Sequence, residues 1–238
     1  MYIFSEITSN NKHTAGHIMK IDLHVHTANI SFCGHLAIEE VISLYKKTDY
    51  DAIVITDHFY GGNAEAWEEK GIDNFLEYYF QTQQKAMKLG EENGLLVLPG
   101  YEFRFPQNSN DYLVYGFTEE HAKKCPGFFQ MDIAQFSEFA KENGILLYQA
   151  HPFRNTMTVV KPEYLFGIEA HNGHPRHDSR NDIAVQWAKK YNLHTIGGSD
   201  CHQIEDVGSA GIITDYPVKN ITDLVHVLKN DLYKIFHN

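Results

Sequence analysis

The run Lys20-Ile21-Asp22-Leu23-His24-Val25-His26-Thr27 ends in two histidines separated by one residue. Alternate side chains of a strand share a face, so His24 and His26 would project together, and two imidazoles so placed make half of a metal site. The same pair could also sit solvated on a surface strand. Four later apolar runs, at 53–58, 95–102, 145–151 and 195–202, shift the balance because each ends in potential ligands: Asp57-His58, Glu102, His151 and Asp200-Cys201-His202. Imidazoles mixed with carboxylates hold borderline divalent cations. Two such ions about 3.5–4 Å apart can clamp a phosphate oxygen and lower the pKa of a bridging water, so the nucleophile would be a hydroxide and not a side chain.

These residues must be positioned by elements that alternate. After a loop at 27–35, apolar spacing predicts a helix at 36–47, then a strand at 52–56 that leads through His58 to a turn at Gly61-Gly62. Helices are expected at 74–92 and 131–142, each stopped by Asn-Gly (Asn93-Gly94 and Asn143-Gly144), and another at 182–191. Strands are expected at 112–117 and 166–170, and in the runs that reach Glu102, His151 and Asp200. Such alternation predicts an α/β fold around a mainly parallel sheet, closed or nearly closed, whose functional groups sit at the C-terminal ends of the strands.

A chain of 238 residues that is 43% hydrophobic can bury one substantial core. Residues 1–18 are polar and without periodicity, which suggests an N-terminal arm before a single domain at 19–238. The net charge of -11 argues against stable binding to duplex nucleic acid, which depends on neutralising phosphates. Three widely spaced cysteines, Cys33, Cys125 and Cys201, with no visible secretory or membrane-spanning segment, suit a reducing cytoplasm and no membrane partner.

In their order, His24-x-His26, Thr56-Asp57-His58, Gly100-x-Glu102, His151-Pro152 and Gly198-Ser199-Asp200-x-His202 resemble the PHP (polymerase and histidinol phosphatase) domain, over roughly residues 20–215. The resemblance implies a distorted (β/α)7 barrel of the PHP type, with two or three divalent ions (Zn, Mn or Fe) at the C-terminal ends of the strands. The first ion would take His24, His26, Glu102 and Asp200. Glu102 would bridge to the second, which would also take His151 and, where the family often has a histidine, Asp111. The third would take His58, His202 and His35, because Phe32-Cys33-Gly34-His35 looks like a Phe-Cys-Pro-His segment of the family's histidinol phosphatases. Glu102, Asp200 and His202 would stand nearest the chemistry. Asp57 and Glu169 could orient ligands, and His171 and Asn172 belong to a segment bordering the site.

All four arginines, Arg104, Arg154, Arg176 and Arg180, follow strands that carry proposed site residues. Their planar forks suit phosphate oxygens, although pairing with the site's own carboxylates is an open alternative. The reading that results is a metal-dependent phosphoesterase hydrolysing a small phosphomonoester, histidinol-phosphate-like or nucleotide-like. A nuclease or phosphodiesterase, or a protein tyrosine phosphatase, is the alternative within the family. An amidohydrolase, which also begins with His-x-His, and a metal-stabilised binding domain stand behind them.

Overall fold

A computed structural model describes residues 18–237. The arm expected at 1–18 lies outside them, except for Ile18. In chain order the elements are β1 (Met19–Val25), α1 (Ile38–Tyr45), β2 (Ala52–Ile55), β3 (His58–Phe59), α2 (Gly61–Glu69), α3 (Phe75–Asn93), β4 (Leu96–Pro99), β5 (Tyr101–Arg104) and β6 (Asp111–Tyr115). There follow α4 (Glu119–Lys124), α5 (Ile133–Asn143), β7 (Leu146–Gln149), β8 (Gly167–Asn172), α6 (Asn181–Tyr191), β9 (His194–Gly198), β10 (Ala210–Thr214), α7 (Ile221–Lys229) and β11 (Lys234–His237).

Both expected Asn-Gly stops end helices: Gly94 and Gly144 cap α3 and α5 with φ of 69° and 70°, a left-handed conformation that costs glycine nothing. The turn expected at Gly61-Gly62 is instead the first turn of α2. Asn63, the next residue of that turn, donates from Nδ2 to the His58 carbonyl at 2.9 Å, tying the start of α2 to the end of β3.

The strands form two sheets, β11-β10-β1-β2-β4 and β3-β5-β6-β7-β8-β9. The break at Gly100 between β4 and β5 passes the chain from one sheet to the other, where a Cβ would lie 2.6 Å from Val54 Cγ1. On the far side the circuit is closed by β1 and the end of β9, where Val25 bridges Cys201 in parallel, His26 N–H donates to the Cys201 carbonyl (2.9 Å) and Cys201 N–H to the His24 carbonyl (3.1 Å). The pairs β1–β2, β2–β4, β3–β5, β7–β8 and β8–β9 are parallel. β6 runs antiparallel to both β5 and β7, because the short loop between β5 and β6 holds no crossover helix. As a result β6 brings its N-terminal residue, Asp111, to the face where the parallel strands bring their C-terminal ends.

The interior is filled by Ile21, Leu23, Val54, Leu113, Leu146 and Ile196, packed with Leu224 and Val227 of α7. An aromatic core surrounds the fully buried Phe59, and a third cluster packs α1 and α3 against β2 and β4. Among the described residues no helix is long and apolar enough to cross a membrane.

Candidate metal centre

Two irregularities in the strands aim the site. Register between β1 and β2 shifts between Asp22 and Val25, as at a β-bulge. Asp22 therefore turns out toward α1, accepting from the Tyr45 hydroxyl at 2.6 Å, while His24 and His26 turn toward one another with Nε2 atoms 3.0 Å apart. Register between β8 and β9 shifts between Glu169 and His171. Strict alternation would have put Glu169 and His171 on one face; the shift puts Glu169 and Asn172 there instead. His171 lies half-buried and stacked on His237 with ring centroids 4.2 Å apart.

Glu102 stands at the centre, 1% exposed. Its Oε1 lies 3.3 Å from His24 Nε2 and 3.4 Å from His151 Nε2, and its Oε2 lies 3.4 Å from His26 Nε2 and 2.8 Å from His58 Nδ1. Asp200 Oδ1 approaches His24 Nε2 at 3.3 Å and His26 Nε2 and His202 Nδ1 at 3.5 Å. It can do so because Gly198 leaves β9 free to press on β1, where a Cβ would lie 2.5 Å from the Cβ of His24. Asp200 and His151 both sit at positive φ, 54° and 29°, backbone that turns each side chain inward as its strand ends. Asp111, His58 and Glu102 form a further group with donor atoms close together.

The protons on the two central histidines can be assigned from their partners. His24 Nδ1 donates to Glu169 Oε1 at 2.9 Å, so in the neutral ring its Nε2 carries the lone pair. The Ser31 hydroxyl donates to Asp57 Oδ1 (2.7 Å) and therefore accepts from His26 Nδ1 (3.0 Å), so His26 Nε2 is bare as well. These two nitrogens lie 3.0 Å apart with carboxylate oxygens around them, a point that favours a positive charge, a proton or a metal cation, between them. Glu102 Oε1, His58 Nδ1 and His151 Nδ1 are buried with no hydrogen-bond partner, so the His58–Glu102 approach is not an aligned hydrogen bond. The donor set fits divalent cations.

Titration follows the same charges. Burial opposes a charge on His24, but Asp200, Glu169 and Glu102 hold its pKa well above the ordinary value. Burial and the neighbouring His202 push His26 down to about 3. Burial raises Asp57 to about 6 against the hydrogen bonds it receives from Thr27 and Ser31. Glu102 and Asp200, despite burial, are held well below the carboxylate range by the histidines facing them.

The remaining expected residues fall in several places. His35 is exposed, its backbone N–H tied to the His202 carbonyl at 2.8 Å. Cys33 lies between His58 and His202, its Sγ 3.3 Å from His58 Nε2 and 3.2 Å from His202 Nε2. Burial of the thiol is outweighed by these contacts, which lower its pKa to about 7. Arg104 binds Asp111 at 2.7 Å, Arg176 forks onto Asp206, and Arg180 binds the Phe153 carbonyl and Asn155. Arg104 thus reaches a carboxylate of the His58–Glu102–Asp111 group, and Arg154 reaches the other side of the centre, donating to Asp200 Oδ2 at 2.7 Å and Asn172 Oδ1 at 2.8 Å. Sequence reasoning gave no role to Ser31, which joins His26 to Asp57, nor to Cys33 beyond its place in the Phe-Cys-Gly-His segment.

Known proteins share this arrangement of strands. A solved two-domain protein of Bacteroides vulgatus, described as containing a predicted PHP-like metal-dependent phosphoesterase, superposes with a TM-score of 0.68 at 18% identity, over 94% of this chain and 66% of that one. The chain has the PHP fold. Endonuclease Q, solved with a duplex substrate bearing an abasic lesion, gives a TM-score of 0.63 at 12% identity, over 90% of this chain and 57% of its own. The sequence profile described as PHP-associated matches residues 178–231, the stretch from the loop before α6 to the end of α7. An uncharacterized protein of Methanocaldococcus jannaschii is 28% identical over 127 residues, 49% of this chain and 50% of that protein. The chain spans about half the length of that curated relative.

Proposed function

We propose that the protein is a metal-dependent phosphoesterase that hydrolyses small phosphomonoesters, holding two or three divalent ions. The observation that carries the reading is the fan of Glu102, each carboxylate oxygen facing two imidazoles, beside the facing lone pairs of His24 and His26. His24, His26, Glu102 and Asp200 would hold the first ion, with Glu102 shared by a second ion at His151 and Asp111. Such ions supply Lewis-acid charge and a water of lowered pKa. Glu169 holds the His24 tautomer and also accepts from the His151 backbone N–H at 2.9 Å, keeping two ligand-bearing strands in fixed relation. Asp57 does the same for His26 through Ser31.

The side chain best placed to meet a substrate phosphate is Arg154, whose bonds to Asp200 and Asn172 run from one terminal nitrogen, whereas Arg104 turns two nitrogens to Asp111 and Arg176 forks onto Asp206. With a net charge of -11, a dianionic substrate needs local positive charge to enter. Phosphate release should be measured from a panel of phosphomonoesters, with phosphodiesters, amides and lactones as controls. Hydrolysis of monoesters that is abolished in Glu102→Ala together with ion content is the expected result. Turnover of amides or lactones without phosphate release, or full activity in ion-free Glu102→Ala, would overturn it.

A further inference from the structure

The geometry points to Cys33, and not His35, as the donor that completes an ion site with His58 and His202, making it a mixed imidazole–thiolate site. This rests on the reading of the centre as a holder of divalent ions.

The loop 27–35, on which Cys33 and His35 are both exposed, decides which side chain lies beside His58 and His202. It is pinned by Ser31 N–H to the Thr27 carbonyl (2.9 Å), Gly34 N–H to the Ser31 carbonyl (2.9 Å) and Ala28 N–H to the Leu36 carbonyl (2.8 Å). Gly34 lies so close against Thr27 that a Cβ there would be 2.7 Å from the Thr27 carbonyl carbon. With the backbone N–H of His35 bound to the His202 carbonyl, the imidazole of His35 is left at the surface and the sulfur of Cys33 falls between the other two rings.

Proton assignment separates a ligand from an incidental thiol. His202 Nδ1 lies 2.7 Å from the Asp200 backbone carbonyl, which can only accept, so Nδ1 carries the proton and Nε2 faces Sγ as a lone pair. His58 has its Nδ1 2.8 Å from the Glu102 carboxylate and turns its other nitrogen, Nε2, to Sγ. The sulfur meets the Nε2 of two rings. A cation shared by the three satisfies every lone pair at once. Two donors of one tetrahedral zinc ion, one sulfur and one nitrogen, stand about 3.6 Å apart. The observed 3.3 and 3.2 Å are close to that spacing. Sulfur also biases the site toward zinc-like ions over magnesium or manganese, unlike the oxygen-rich group around Glu102 and Asp111.

The test is cobalt substitution of the full chain. The wild-type protein should show near-ultraviolet thiolate-to-cobalt charge-transfer absorption, and Cys33→Ser should lose that band and about one ion per chain while keeping the rest. His35→Ala should keep both band and ion count. Alkylation of the wild-type protein, followed by mass spectrometry, reads the same contact without a variant: bound ion should shield Cys33 from iodoacetamide and chelation should expose it. Cobalt uptake with no thiolate band, an unshielded Cys33, or an ion lost in His35→Ala would overturn the assignment alone. A protein that takes up no ion would overturn the metal reading and this assignment with it.

Discussion

Glu169 touches no other carboxylate of the centre, yet it fixes which nitrogen of His24 is bare, since its Oε1 takes the Nδ1 proton at 2.9 Å. Replacing it by Gln keeps the shape and removes the charge that makes the imidazole a better donor. Glu169→Gln should therefore weaken ion binding by roughly 10- to 100-fold with the circular dichroism spectrum unchanged. Competitive titration against a chromophoric chelator would measure it, and unaltered affinity would make Glu169 a packing residue. At this scale the sequence was informative where side-chain type alone decides. His24, His26, His58, Glu102, His151 and Asp200 are ligand types at strand ends, and they meet. It was silent where the backbone path decides: nothing in Phe32-Cys33-Gly34-His35 says that Cys33 Sγ lies beside both His58 and His202 until the loop, drawn close where Gly34 meets Thr27, is seen.

Among the elements, β3 is only two residues long but serves both the site and the core, pointing His58 to Glu102 and Phe59 into the aromatic cluster. The Phe59 ring lies 4.4 Å from that of Tyr79, 5.1 Å from Tyr101 and 5.5 Å from Phe128. It is fully buried, so Phe59→Ala should cost about 3–5 kcal/mol in chemical denaturation. A smaller loss would mean that the neighbouring rings collapse into the gap. Helix limits were legible because Asn-Gly pairs and 3.6-residue spacing are local signals. Strand facing was legible only in part. The register shifts in β1 and β8 break the two-residue alternation, which is why Asn172, and not His171, shares a face with Glu169. The reversal of β6 could be inferred from the short connection before it. The helical start at Gly61-Gly62 could not, since paired glycines read locally as a turn.

For the whole molecule, burying Glu102, Asp200 and Asp111 together is unfavourable unless positive charge joins them, so folding and ion binding should be linked. An ion at a hundred times its dissociation constant adds about 2.7 kcal/mol, which for a chain of this size moves the melting temperature by about 5–10 °C. Thermal melts with zinc or manganese and with a chelator would measure the shift, and identical melts would disconnect the centre from the fold.

The seam between β1 and β9 has a consequence for how the molecule would come apart. The backbone atoms that fasten it belong to His24, His26 and Cys201, the same residues that bear or adjoin the inward-facing donors. Whatever draws those side chains together also buttons the circuit of strands, and a chelator should loosen that fastening before it reaches the helices. Hydrogen–deuterium exchange would see it as early labelling of the His26 and Cys201 amides, while the amides of α3 and α5 stay protected.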